Sequence, residues 1–453
     1  MTTLPRPTVE ETLDKVRDAL DHDDVVAAIA ALESLKEPVE VADVFDELDV
    51  EDQATLLPRL EPEDSAEIMA NLDTEDQAEL AERVDNTTLA RVLDEMEPDD
   101  AADVIGDLPE KRKEQVLAEM EEADDVRPLL IHPDESAGGL MTTSFLTLRP
   151  QMTARDAIEA LRQWQPGEEL PYYLFVVDRE RRLCGVVSLR GMIAASPNTR
   201  VDQFMNTTVI SVPAGTDQEE VARLLKRHGF LALPVVDAEK RLLGVITVDD
   251  IVDVIDEEAT EDAFRLAGMP DEEKVFSPLS LSLKRRMPWL YINLGTAFLA
   301  AWVVSLFEST IAQVAILAAM QSMVAGQGGN AATQRITILV RGLATGEVTL
   351  RDSARVIAKE TLLGLLQGLA VALVVGGGVA LWQNNAVLGV VIGVAMMGNL
   401  VVAGLAGTAI PFILKKFNLD PALASAVIVT TFTDCCGFGF SLGLATAMLA
   451  WLR

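Results

Sequence analysis

The sequence predicts a multidomain membrane protein. An all-α helical-repeat domain is expected at the N-terminus, paired α/β modules in the middle, and a five-helix transmembrane domain at the C-terminal end. Three patterns lead to this prediction. A hydrophobic residue recurs at every twelfth position from Leu48 to Leu108. Two segments with similar strand and turn patterns follow, and five long apolar stretches occupy the chain beyond Lys284.

The charge balance changes sharply between the two halves of the chain. Up to Leu283 there are 26 Lys and Arg residues against 65 Asp and Glu residues, and from Lys284 onward there are 11 against 6. These balances, −39 and +5, give the net charge of −34. An acidic region disfavours nucleic acid as a partner, because nucleic acid is bound through Lys and Arg. It favours cations as partners, or a saline habitat in which acidic surfaces maintain solubility.

Cysteine and histidine are scarce. Cys184, Cys435 and Cys436 show no CxxC spacing, and the three histidines are scattered along the chain. This pattern excludes a disulfide framework and a zinc site built from thiolates, and it fits a reducing cytosol. The N-terminus has no apolar segment of the signal-peptide type, so internal spans are expected to insert the protein into the membrane.

The 12-residue repeat predicts a solenoid of short helices over residues 1–132. Each unit after its hydrophobic residue begins with acidic residues, often with proline, as in Glu61-Pro-Glu-Asp and Glu97-Pro-Asp-Asp. Acidic caps followed by proline are typical of helix starts. A helix of about two turns is too short to be stable alone, so the units are expected to stack and share a core. Such arrays usually serve interaction or regulation. The repeated hydrophobic positions are Leu48, Leu60, Leu72, Val84, Met96 and Leu108.

Two α/β units follow, predicted at 133–198 and 199–256. In each, a strand ending in Val-Val-Asp is followed by a turn, a Gly-containing strand and a Ser or Thr. This order resembles a pair of CBS domains, in which the Ser or Thr and an Asp three residues later commonly hold a nucleotide ribose. Thr247 and Asp250 match that pattern and make ATP a candidate ligand, whereas Ser188 is followed by Gly191. A purely structural pair that dimerises and transmits motion is the alternative.

A helix with many acidic residues is predicted next and leads into a connecting segment at 257–283, with Pro270 and Pro278 beside a loop. Like charges at helix spacing repel one another and raise one another's pKa unless cations intervene. The helix is therefore either a solvated acidic face or a connector controlled by a ligand. Its acidic residues are Asp250, Asp253, Asp256, Glu257, Glu258, Glu261 and Asp262.

Five apolar stretches within 284–453 are each near the length of about 20 residues that crosses a bilayer. Their approximate limits are 287–307, 312–334, 361–382, 386–412 and 422–450. Basic residues precede the first stretch and lie in the second and fourth connections, with Arg335 and Arg341 counted in the second. Because basic loops stay in the cytoplasm, the N-terminal domains are expected inside the cell and the C-terminus outside.

Asp434 is the only charged residue between Asp420 and Arg453. An ionisable group at bilayer depth is costly and therefore faces a water-filled path or a partner. Its predicted helix offers no basic partner, which makes a cation site the first hypothesis. An Asp held neutral by the hydroxyls of Thr430, Thr431 and Thr433 is the alternative.

A glycine-rich polar run, Met323-Val-Ala-Gly-Gln-Gly-Gly-Asn-Ala-Ala-Thr-Gln334, interrupts the apolar pattern of the second stretch. Such residues either let helices pack closely or line a cavity. This run, the segment from Leu419 to Ser425 and the segment from Thr430 to Gly437 resemble the MgtE family of magnesium channels. The order of the predicted domains resembles that family as well.

The resemblance implies a homodimer in the lipid bilayer, with a pore at its two-fold axis. In that arrangement Asp434 of each subunit would hold a hydrated Mg²⁺, and regulatory Mg²⁺ ions would bind between the acidic domains. The implied pore-lining residues are Gly326, Gly328, Gly329, Asn330, Thr430, Thr431 and Gly437. The loosely assigned regulatory residues are Asp99, Asp103, Asp250, Asp253, Glu258, Glu261, Asp262 and Asp420.

The expected function is therefore Mg²⁺ passage through the cytoplasmic membrane, closed by cytoplasmic Mg²⁺. A secondary exchanger that couples Mg²⁺ or another divalent cation to a second ion remains open, because sequence does not show coupling. An anion channel is disfavoured by the lone carboxylate. An enzyme carrying a CBS insertion is disfavoured because no barrel pattern or phosphate-binding glycine loop is present.

Overall fold

A computed structural model describes residues 8–35, 38–164, 173–269, 273, 279–423 and 426–452. The chain divides into two compact units, Met1–Val254 and Ile255–Arg453. The prolines of the predicted connecting loop, Pro270 and Pro278, lie outside the described residues, as does Ser425 at the end of the motif that begins at Leu419.

The first unit begins with short α-helices that follow the predicted repeat. Seven of them within the described ranges, α3 to α9, begin at intervals of 12 residues. The helices are α1 Val9–Asp21, α2 Val25–Leu32, α3 Pro38–Asp46, α4 Val50–Leu56, α5 Pro62–Ala70, α6 Thr74–Arg83, α7 Asn86–Leu93, α8 Pro98–Asp107, α9 Glu110–Glu119 and α10 Ala123–Val126.

The repeat positions build this solenoid as predicted. Leu72 and Leu108 are both buried, and each helix from α3 to α7 packs against the second helix after it. Gln53 and Gln77, two repeats apart, make equivalent hydrogen bonds: each Nε2 donates to carbonyl oxygens near the end of the helix preceding its own. These amides satisfy carbonyl groups that a helix end leaves without an internal partner. The helical-repeat prediction is confirmed.

The second part of this unit contains two similar α/β modules. In each, a short parallel strand pairs with the central strand, which pairs antiparallel with the third. The two modules join where Leu183 N donates to Lys240 O at 2.9 Å and Leu242 N donates to Arg181 O at 3.0 Å. The elements are β1 Thr147–Leu148, α11 Ala154–Trp164, β2 Tyr173–Val177, β3 Leu183–Ser188, α12 Leu189–Ala194, β4 Val212–Pro213, α13 Gln218–His228, β5 Ala232–Val236, β6 Leu242–Thr247 and α14 Val248–Leu266.

The helical repeats and the second module share one hydrophobic core. Val104 and Ile105 of α8, Leu233 of β5, and Ile251 and Val254 of α14 all belong to it. The N-terminal ends of α8 and α14 are therefore held in a fixed relation by buried apolar contacts. This relation positions the first candidate site.

The second unit consists mainly of long helices. Within the described residues, four segments are long and apolar enough to cross a membrane: Leu279–Ser305, Leu350–Trp382, Ala386–Lys416 and Pro421–Ala447. The helix of the second predicted span is long but less apolar, so the count of five remains a prediction. The helices are α15 Leu279–Ser305, α16 Glu308–Gln313, α17 Ile316–Ala344, α18 Ser353–Trp382, α19 Ala386–Lys416, α20 Ala426–Ala447 and α21 Leu449–Leu452.

The glycine-rich run lies within one continuous helix, α17, from Ile316 to Ala344. One residue of the second stretch differs from expectation. Arg335 does not lie in a loop: it is 5 % exposed inside α17. Its Nη1 donates to Ala331 O at 2.6 Å, its Nη2 donates to Gln367 Oε1 at 2.6 Å, and its Nε lies 3.5 Å from a carboxylate oxygen of Glu360. The basic residue is tolerated inside the helix bundle because α18 supplies its partners.

Candidate cation sites

The first candidate site lies where the N-terminal ends of α8 and α14 approach each other. Glu97 caps α8, and Asp99 and Asp100 lie in its first turn, while Asp249 and Asp250 lie in the first turn of α14. Each helix favours acidic residues at this end, because the helix dipole places partial positive charge there. Together the two helices collect more negative charge than either dipole can offset.

Asp99 is the most buried carboxylate of this cluster. It is 7 % exposed, and among the described residues its Oδ1 has no hydrogen-bond partner. Burial, followed by the charges of Asp250 and Asp100, raises the pKa of Asp99 well above its usual range. A buried carboxylate without a partner is costly to ionise, so this position favours either a proton or a cation.

The neighbours of Asp99 show the same electrostatic strain. Burial, with contributions from Asp250, Glu97 and other acids of α14, raises the pKa of Asp100 to about 7. Burial is also the main cause of the raised pKa of Glu97 and of Asp250. A set of carboxylate oxygens fits Mg²⁺, which prefers oxygen ligands and usually keeps several of its waters. A divalent cation here would remove the cost of placing these charges together.

The structure brings several of the predicted regulatory residues together. Asp99 and Asp250 belong to the cluster, and Asp253 contributes to the raised pKa of Asp100. Asp103 lies further along α8 and is exposed. The sequence interpretation omitted Glu97 and Asp100, although the Glu97-Pro-Asp-Asp motif contained both. The packing of α8 against the second module shows that this motif faces the acids of α14.

Thr247 and Asp250, the nucleotide candidates, are hydrogen-bonded to each other. The Thr247 hydroxyl donates to Asp250 Oδ2 at 2.6 Å, and the Thr247 backbone nitrogen donates to the same oxygen at 3.2 Å. Asp250 therefore orders the start of α14 while it also faces the acids of α8. Ser188, the equivalent residue of the first module, instead caps α12 by accepting from Gly191 N at 3.1 Å.

A second acidic group lies in the other compact unit, near the C-terminal end of α14. Burial first, and then the charges of Asp420 and Glu258, raise the pKa of Asp262 to about 6. Arg265 partly offsets this charge by forming ion pairs with Glu261 and with Asp420. The predicted residues of this group are thus neighbours, and Asp420 links α14 to the segment before α20.

The third candidate site is Asp434, which lies within α20 and is half-buried. In the described part of the chain it takes part in no ion pair or hydrogen bond. The neighbouring hydroxyls bond within their own helix: Thr430 and Thr431 donate to Val427 O at 3.2 and 2.6 Å, and Thr433 donates to Thr430 O at 2.9 Å. These hydroxyls therefore donate within α20 and not to the Asp434 carboxylate.

The glycines of the polar run allow close helix packing. Gly328 and Gly329 are buried, and a Cβ at Gly329 would lie 3.3 Å from Thr430 Cγ2 of α20. Gly326 and Asn330 are exposed on the other side of α17. Gly437 is buried in α20. The run therefore contains both a packing face and a polar exposed face, which were the two alternatives read from its sequence.

Comparison with known proteins gives matches along the chain. Residues 321–444 match the family model of a divalent cation transporter, MgtE. Residues 36–135 match the MgtE intracellular N domain, and residues 137–198 and 201–257 match the CBS domain. The domain limits predicted from the sequence remain predictions.

Similar proteins and solved structures indicate the same family as the family models do. The magnesium transporter MgtE of Enterococcus faecalis is 41% identical over 69% of this chain and 69% of its own. The magnesium transporter MgtE of Thermus thermophilus is 40% identical over 72% of this chain and 72% of its own. A crystal structure of the soluble part of a magnesium transporter is 34% identical, with a TM-score of 0.50, and covers 55% of this chain and 99% of its own. The cytosolic domain of the Mg²⁺ channel MgtE in complex with ATP is 36% identical, with a TM-score of 0.50, over 53% of this chain and 99% of its own.

These matches agree with the paired modules, with the acidic helical repeats and with the apolar helices that follow them. They cover both compact units, and the identity to full-length relatives extends over more than two thirds of the chain. The chain therefore belongs to the MgtE family of divalent cation transporters.

Proposed function

We propose that this protein is a Mg²⁺ channel in which Asp434 is the ion-binding carboxylate of the pore. The observation that carries the proposal is an ionisable side chain inside an apolar helix whose neighbouring hydroxyls are already committed to backbone carbonyls. One carboxylate from each subunit of a homodimer suits an ion that keeps most of its water. The exposed polar face of α17, with Gly326 and Asn330, would complete the lining.

We further propose that cytoplasmic Mg²⁺ closes the channel by binding to the acidic cluster of α8 and α14. A cation that bridges carboxylates of the two helices binds the packed arrangement better than the separated one, and it shifts the population by that difference in affinity. Helix α14 carries acidic groups at both ends: Asp250 in its first turn and Asp262 toward its C-terminal end.

ATP at the paired modules is a second part of the proposal. It rests on the related cytosolic domain solved in complex with ATP and on the match of Thr247 and Asp250 to the ribose-binding pattern. ATP is expected to raise the thermal stability of the full chain, and Asp250→Ala is expected to remove that increase. Unchanged stability at millimolar ATP would leave the modules with a structural role.

The membrane orientation belongs to the proposal as well, with the acidic unit in the cytoplasm and the C-terminus outside. Protease digestion of sealed vesicles tests it. The acidic unit is expected to be cleaved only in inside-out vesicles. Cleavage in right-side-out vesicles would contradict the orientation.

Current recording from the purified protein in a planar bilayer tests the channel proposal. Ohmic current with a reversal potential that follows the Mg²⁺ gradient is expected, whereas dependence on a second ion would identify an exchanger. Asp434→Asn is expected to abolish the current while the protein still folds. Glu308→Gln is the matched control, because Glu308 is an exposed acid at the start of α16. Wild-type current from Asp434→Asn would overturn the pore role.

A further inference from the structure

Asn399 is a polar residue in the middle of the most apolar helix, and it is fully buried. It lies in α19 with 0 % exposure. Its Nδ2 donates to Val324 O of α17 at 3.0 Å, while among the described residues its Oδ1 has no partner. A buried acceptor without a partner destabilises a protein, so an apolar side chain of similar size would serve packing better. The amide is therefore better explained by what it positions.

Two glycines on different helices make room for this amide. A Cβ at Gly437 of α20 would lie 2.8 Å from Asn399 Nδ2, and a Cβ at Gly328 of α17 would meet the same nitrogen. The side chain thus fills a notch between α17 and α20, and both helices contact it through positions that have no side chain. Its hydrogen bond to Val324 fixes the amide to α17 one turn before Gly328.

The contacted turn of α20 is the one that carries Asp434. Gly437 follows Asp434 by three residues, and Thr433 directly precedes it. Thr433 is fully buried, and its Cβ would lie 3.2 Å from a Cβ at Gly328. The turn is therefore held on both sides of Asp434, by Thr433 against α17 and by Gly437 against Asn399. These contacts set the rotation of α20 about its axis.

We propose that Asn399 is a positioning residue that sets the direction of the Asp434 carboxylate for ion discrimination. The inference rests on the proposed pore role of Asp434. Residues that hold a metal-binding group in place typically contribute about tenfold or more in metal affinity or activity. Loss of the Asn399 amide therefore lowers Mg²⁺ flux and changes the ratio of Mg²⁺ flux to Co²⁺ flux.

The experiment measures Mg²⁺ and Co²⁺ fluxes of the full chain in proteoliposomes, together with its melting temperature. Asn399→Leu is expected to lower the Mg²⁺ flux about tenfold and to change the flux ratio, without lowering the melting temperature. The ratio does not depend on the amount of folded protein, so a purely structural role would leave it unchanged. Thr408→Val is the control, because Thr408 is a 1 % exposed polar residue of the same helix whose hydroxyl donates to Gly404 of its own helix.

A second pair of variants decides the question if Asn399→Leu does not fold. Gly437→Ala adds a methyl group against the amide and is expected to reduce flux, whereas in Gly437→Ala/Asn399→Ala that group has room. The double variant is expected to be no worse than the more impaired single variant, because the two residues share one contact. If the flux losses of the two single variants multiplied in the double variant, the proposal would be overturned.

Asp434→Asn separates this inference from the function on which it rests. If Asp434→Asn conducts like the wild type, the pore role fails and the positioning role fails with it. If Asp434→Asn loses flux while Asn399→Leu keeps both flux and ratio, only the role of Asn399 is overturned.

Discussion

Asp100 shows at the scale of one residue how position converts a common side chain into a candidate ligand. Asp64 occupies the equivalent place in α5, three repeats earlier, and is exposed, whereas Asp100 is half-buried among other acids. We expect Asp100→Asn to stabilise the metal-free acidic unit, since it removes like-charge repulsion, and to weaken its stabilisation by Mg²⁺. Asp64→Asn is the matched control and should leave both unchanged. Melting curves with and without Mg²⁺ measure the effect, and equal Mg²⁺ shifts in the two variants would contradict it.

The raised pKa of Asp100 also predicts a pH dependence in the absence of divalent cations. Its folded-state pKa of about 7 lies above the usual value for Asp, so the folded state binds more protons than the unfolded state between these values. Stability is therefore greatest below the usual pKa and decreases as the pH rises toward about 7. The pKa of Asp100 is raised further by the charges of the acids that face it, Glu97, Asp249, Asp250 and Asp253. Melting curves in chelator from pH 5 to pH 8 test this, and a melting temperature that rises with pH would contradict it.

At the scale of elements, the repeat helices could be predicted because their signals are local. Acidic caps, proline at the first turn and a buried residue at every twelfth position each act within one helix. The role of the polar run in α17 is harder to predict, because its glycines and polar residues fit both close packing and a cavity lining. Its packing involves Thr430 and Asn399, which sequence spacing does not bring together.

The sequence predicts a loop at Arg335, because a basic residue next to an apolar stretch usually marks the end of a span. In the structure its partners Glu360 and Gln367 lie on another helix. The pair formed by Arg335 and Glu360 connects α17 to α18. Sequence alone contains both charges and gives no sign that they meet.

This ion pair gives a prediction about helix packing. Glu360→Ala leaves the Arg335 charge buried without its acidic partner, which typically costs about 3–5 kcal/mol. Lys359→Ala, which removes an exposed partner of the same acid, should change stability little. Replacing both buried charges, in Arg335→Met/Glu360→Leu, should recover most of the loss. Denaturant unfolding in detergent measures the three variants, and equal effects of Glu360→Ala and Lys359→Ala would refute the structural role of the pair.

At the scale of the whole molecule, the sequence predicted the order of the parts and most of the acidic candidates. It could not select among them, because similar acidic motifs recur at each repeat start and several registers fit equally well. Selection came from the packing of α8 against the second module, which buries Asp99 and leaves Asp103 exposed. The acidic composition thus belongs to the entire first unit, whereas the candidate site depends on one contact within it, between α8 and the second module.

The last prediction separates gating from conduction. Moving a two-state equilibrium from 1:99 to 99:1 requires about 5.5 kcal/mol of differential binding, and several weak cation sites can supply it together. Neutralising one carboxylate should therefore move the midpoint of Mg²⁺ inhibition to higher concentration without abolishing inhibition.

We expect Asp100→Asn and Asp262→Asn each to keep the wild-type conductance and to stay open at higher cytoplasmic Mg²⁺. Asp434→Asn should lose current but keep the Mg²⁺-dependent protection of the acidic unit from protease. Single-channel recording and limited proteolysis at matched Mg²⁺ concentrations measure both properties. Lowered conductance of Asp100→Asn at unchanged Mg²⁺ sensitivity would contradict the gating role of Asp100. Loss of the Mg²⁺-dependent protection in Asp434→Asn would contradict a role of Asp434 in conduction alone.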